Sequence, residues 1–174
     1  MKLFVFCGLL ALAAAEVTFD VAKECPDVKG PPKGEKRPKR DADEDGDEYP
    51  DLDFEGKLAH ARCGLKMAAI MDKIYDGGKA EDVTVKVPEG YGRFKFTVTP
   101  DQDNEQLKVS HPKFKATLSR VSTEELGIPE DVAKLVSGGK HGKANMWLPE
   151  EHIGKFKEHV ADFVEEAQEY LENQ

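Results

Sequence analysis

Residues 83–118 read VTVKVPEGYGRFKFTVTPDQDNEQLKVSHPKFKATL, and their alternation decides the fold. Val83, Val85 and Val87 alternate with Thr84 and Lys86, and Phe94, Phe96 and Val98 alternate with Lys95 and Thr97. A period of two marks strands with one buried face. Pro88-Glu89-Gly90-Tyr91-Gly92 and the segment 100–105 carry turn residues between them. Leu107 and Val109 share one parity, whereas Phe114, Ala116 and Leu118 resume with the other after Ser110-His111-Pro112. Such a shift beside a proline predicts a bulge or a break between two short strands. The stretch therefore predicts an antiparallel meander of three to four strands, apolar on one face.

Helical periods flank the meander. Residues 57–76 place Leu58, Ala61, Leu65, Ala68, Ala69 and Tyr75 at helical spacing, and Gly77-Gly78 stops the run. Ser122-Thr123-Glu124-Glu125 has the spacing of a capping box, and Pro129 can open a short helix through Val136. Residues 149–172 carry Ile153, Phe156, Val160, Phe163, Val164, Ala167, Tyr170 and Leu171 as one amphipathic stripe. The expected class is α+β, with an N-terminal helix and a long C-terminal amphipathic helix packed on the apolar face of the meander. That outline resembles Bet v 1-like and cystatin-like folds, with no motif of either family present.

The first 15 residues, MKLFVFCGLLALAAA, set Lys2 before an apolar run and small residues at its end. This is the pattern of a secretory signal peptide, and its run is shorter than the roughly 20 residues of a membrane span. No second apolar run follows, so no membrane span is expected in the mature chain. Removing residues 1–15 takes away Cys7 and leaves Cys25 and Cys63. In an oxidising compartment such a pair is expected to form one disulfide.

Charge is segregated along the chain. Residues 29–40 hold six basic residues and three prolines, and residues 41–55 hold nine acids and no Lys or Arg. Arg37-Pro38-Lys39-Arg40 resembles the R-x-K-R recognition sequence of furin-like secretory convertases, so Arg37, Lys39 and Arg40 form the expected processing site. The expected organisation is signal peptide 1–15, a light-chain segment or propeptide 16–40 with a short strand at 16–22, an acidic disordered segment 41–56, and a globular domain 57–174. Val17, Phe19 and Val21 supply the alternation of that first strand.

Asp41, Asp43, Asp45 and Asp47 with Gly46 match the opening of a calcium loop, but its twelfth position is Leu52 rather than a bidentate Glu. Weak calcium binding is the expectation, with no other cofactor. Tyr49, flanked by acids, has the setting of a sulfated tyrosine. No nucleophile elbow, zinc-protease, P-loop or dinucleotide motif occurs.

A net charge of −9 argues against nucleic acid as the partner. Against that excess, the polar face of the meander carries Lys86, Arg93, Lys95, Lys108, Lys113 and Lys115, a candidate anion-binding face. The sequence thus predicts a secreted, extracellular, processed and non-enzymatic binding protein, taking a protein or a sulfated glycan as partner. An acidic calcium-associated matrix component is the alternative, and a secreted zymogen ranks below it.

Overall fold

The computed structural model describes residues 16–28, 52–87 and 92–174. The first strand, β1 (Val17–Asp20), runs into one helical turn, α1 (Val21–Glu24). Helix α2 (Phe54–Gly77) precedes four strands: β2 (Glu81–Lys86), β3 (Arg93–Asp101), β4 (Gln106–His111) and β5 (Phe114–Ser122). Then come α3 (Glu130–Val136), β6 (Asn145–Pro149), a 3₁₀ turn (Glu150–His152) and α4 (Ile153–Glu172). The class is α+β, and the sheet is curled.

All six strands form one sheet in the order β1-β2-β3-β4-β5-β6. The expected meander of three to four strands is extended on both sides. β1 pairs parallel with β2, Val17 opposite Val83 and Phe19 opposite Val85, and every other pair is antiparallel. A parallel pair needs a long crossover, and the connection that contains α2 supplies it. β1 stops at Asp20, short of the expected residue 22, because the Asp20 carboxylate accepts from Ala22 N at 3.1 Å and turns the chain.

The parity shift at 110–112 is the expected break between two strands and not a bulge, since one strand ends at His111 and the next begins at Phe114. His111 pairs with Phe114 across the two-residue turn Pro112-Lys113, so the apolar parity changes because the strand reverses. β6 is the strand that the sequence reading lacks. Pro149 lies at its end rather than in a helical turn, and without an N–H it cannot extend the ladder. Helix α4 accordingly begins at Ile153 after the 3₁₀ turn.

Helix α2 starts at Phe54, where the Asp53 carboxylate accepts from Gly56 N at 2.8 Å. Its last turn is tied down by two donors to the Tyr75 carbonyl, Gly78 N at 3.2 Å and Gln102 Nε2 at 3.0 Å. Gly78 has φ of 66°, the left-handed cap that favours glycine. At the other corner, Glu125 N donates to Ser122 Oγ as a capping box requires, but residues 123–127 form turns, and the helix waits until Glu130.

Two apolar clusters hold these layers. In one, Ala68, Met71, Ile74 and Tyr75 of α2 meet Val83, Val98, Leu107, Val109 and Trp147 of the sheet. In the other, Leu58 of α2 meets Val132 and Val136 of α3 and Ala167 of α4, with Phe54 and Phe163 beside them. The second cluster contains no strand residue. The buried contacts of Ala167 are thus with helices, not with the sheet on which the C-terminal helix was expected to pack. Phe54 adds ring contacts with Phe163 at 5.6 Å and Tyr170 at 4.9 Å, and Lys57 pairs with Glu166 at 2.8 Å.

Candidate functional site

Strand alternation and register sort the candidate cations. Val83 and Val98 lie in the core, so Lys86, Arg93, Lys95 and Thr97 point to the opposite, outer face of the sheet. Lys86 is directly opposite Arg93, and Lys95 is opposite Thr84. On β5, Lys115 is opposite Ser110, on the same outer face. β3 and β5 are both antiparallel to β4, so they run the same way and begin at the same end of the sheet. Arg93, Lys95 and Lys115 therefore share that end. Lys86 joins them through its pairing with Arg93, and Lys113 through the adjacent turn.

Lys108 does not belong to this group. It lies further along the outer face, with its Nζ 3.7 Å from Asp101 Oδ2. The Asp101 carboxyl is held below its ordinary range mainly by the hydrogen bond from Asn104, with Lys108 adding to it. Within the grouped five, Lys95 is 3.8 Å from Glu16 Oε1. Lys86, Arg93, Lys113 and Lys115 make no ion pair with another described residue. Glu16 is itself anchored, accepting from the buried Thr84 hydroxyl at 3.0 Å.

The other face of the same end carries two residues that the sequence placed in the core. Phe94 is 51% exposed and Phe114 is 52% exposed. Alternation does point both to the helix-bearing face, with Phe96 and Ala116 next in line. Their exposure shows that the cover given by the helices stops short of this end. His111 stacks on Phe114, with centroids 4.7 Å apart. The first residues of β3, Arg93 to Phe96, outrun its pairing with β4, a matter of register that no sequence signal carried.

Cys25 and Cys63 are joined, with Cα atoms 5.5 Å apart, which fixes the first segment to α2. That segment is held in three further ways. β1 pairs with β2, Phe19 is 2% exposed, and Lys66 Nζ donates to the Glu24 carbonyl.

An open trough of about 740 Å³ follows the β5 edge beyond the reach of β6, between Lys115 and Thr117 on one side and Glu150 and His152 on the other. His152 Nε2 lies 3.7 Å from Glu151 Oε1, and both residues are exposed. Among the described residues, no group of three His, Cys, Asp or Glu side chains could hold a metal ion. No helix among them is long and apolar enough to cross a membrane.

The expected signal peptide 1–15, the expected processing residues Arg37, Lys39 and Arg40, the calcium candidates Asp41, Asp43, Asp45 and Asp47, and the sulfation candidate Tyr49 all lie outside the described residues. Comparison with protein families, curated proteins and solved structures gives no match.

Proposed function

We propose that the chain is a secreted, processed, non-enzymatic binding protein that takes a sulfated glycan at the cationic end of its outer sheet face. One observation carries this reading: Lys86, Arg93, Lys113 and Lys115 gather there without an ion pair among the described residues, in a chain of net charge −9. Lys86 and Arg93 face each other directly across two strands. Like charges so placed are destabilising unless something compensates them, and a polyanion does. Its sulfates need no deep pocket, which suits an open sheet face. A secretory convertase cutting after Arg40 would leave a two-chain molecule joined through Cys25 and Cys63.

The test is elution from immobilised heparin. The mature protein should be retained at physiological ionic strength, and Lys95→Glu/Lys115→Glu should elute at clearly lower salt. Passage of the unmodified protein straight through the column would remove the reading.

A further inference from the structure

We propose that the end of the sheet where β3 and β5 begin is also a docking surface for a lipid membrane bearing anionic headgroups. Phe94 and Phe114 would enter the interfacial layer, while Arg93, Lys95, Lys113 and Lys115 meet the headgroup charges. For its charge this rests on the cation cluster already described; for its aromatic pair it stands on a separate observation.

The two sets of side chains share one end by construction. Along β3 the order Arg93, Phe94, Lys95 alternates outer, inner, outer, and along β5 Phe114 and Lys115 do the same. Lys113 sits in the turn that leads into Phe114. A plane meeting the strands end-on therefore touches rings on one side of the sheet and cations on the other. That is the division an interface asks for, with aromatic side chains at the headgroup level and basic residues at the anionic surface. Each basic residue close to such a surface contributes about fivefold in partitioning. At physiological salt charges act over only about 8 Å, so acids elsewhere on the molecule oppose this weakly. Among the described residues, Glu16 beside Lys95 and Glu150 and Glu151 across the trough from Lys115 subtract locally.

The other occupants fit less well. Two half-exposed phenylalanines offer on the order of 200 Å² of contact, while a stable protein interface buries about 1,200 Å² or more. A second copy would bring the same cations against these cations, which is repulsive. A glycan lying on the outer face does not reach rings on the inner one.

The full mature protein should sediment with vesicles of phosphatidylcholine plus phosphatidylserine and not with phosphatidylcholine alone. Phe94→Ser/Phe114→Ser should lower that partitioning about tenfold or more, as expected from losing two partly inserted rings. The same variant should keep its heparin elution, so that loss of glycan binding and loss of lipid binding are read separately. Phe94→Trp gives a second readout on a conservatively changed protein, with a blue shift in emission on adding the anionic vesicles. Four outcomes would overturn the proposal: no sedimentation of the unmodified protein, equal sedimentation of the double serine variant, no blue shift, or vesicle-independent self-association lost with the two rings.

Discussion

The Trp147 indole donates to Asp72 Oδ1 at 2.8 Å, binding the last strand of the sheet to the helix that covers it. Arg120, opposite Trp147 in the register, lies 4.8 Å above the Tyr75 ring and 5.8 Å from the Trp147 ring. Burial raises the Asp72 carboxyl above 3.8, and the indole hydrogen bond and Arg120 offset only part of that. Trp147 to Phe removes the donor and part of a buried ring, so a loss of about 2–4 kcal/mol is expected from the two effects together. Chemical denaturation of Trp147→Phe checks it.

The same carboxyl sets a pH dependence with a definite sign. A raised acid holds its proton more tightly in the folded chain than in the unfolded one. Its contribution to stability therefore falls as pH rises from 3.8 through the raised folded value. Asp72→Asn keeps an acceptor for the indole and removes the titration. Its stability should be flatter than that of the unmodified protein across this window. Asp101 acts in the opposite direction, because its lowered carboxyl loses its contribution as pH falls below 3.8. An unfolding series on Asp72→Asn and Asp101→Asn separates the two; identical slopes for both would contradict the assignment.

What the sequence made legible follows from which faces are covered. Strands β2 to β5 bury one face each, so Val83, Phe96, Leu107 and Leu118 announce them by alternation. β6 gives no such signal. Met146 and Leu148 are half-buried on the face opposite the buried Trp147, and Met146 pairs with the buried Val121, so the strand reads as an unbroken apolar run. The exposure of Phe94 and Phe114 was equally hidden, because alternation gives a side chain its face but not how far the covering helix extends. The cation cluster was legible from parity alone. Separating Lys108 from it required register, which a single sequence does not contain.

Helix packing away from the sheet gives a further expectation. Phe54 stands at the start of α2, against Phe163 and Tyr170 of α4. Phe54→Ala should cost about 2–4 kcal/mol, somewhat below a fully buried Phe because the residue is half-buried. Lys57→Ala, which removes the ion pair with Glu166, should cost no more than about 1 kcal/mol because both partners are 41% exposed. Thermal melts of the two variants should rank in that order, and the reverse order would show that the charge pair, not the ring cluster, fastens α4.

Calcium tests the acidic block. From the sequence, Asp41, Asp43, Asp45 and Asp47 are expected to attract the ion, and Leu52 at the twelfth position to leave its coordination incomplete. Calorimetry at physiological salt should show only weak binding. A single micromolar site that disappears in Asp41→Asn/Asp45→Asn would mean that the loop is completed by other oxygens.

The last expectation concerns the first segment after a cut at Arg40. Residues 16–28 are built into the fold by the β1–β2 pairing, by Phe19 at 2% exposure and by the Cys25–Cys63 bond. On a denaturing, non-reducing gel the mature protein should run as one species, and reduction of the denatured sample should release the peptide 16–40. Without denaturant, reduction alone should leave that peptide associated, since burying one Phe side chain is worth about 1.5–3 kcal/mol and the ladder adds to it. Four strand residues hold weakly, so mild denaturant should then separate the chains. Phe19→Ala should separate them on reduction alone, and do so with the disulfide still forming beforehand. Release of the peptide from the unmodified protein by reduction alone would show that the covalent bond, rather than the strand and its phenylalanine, keeps the segment in place.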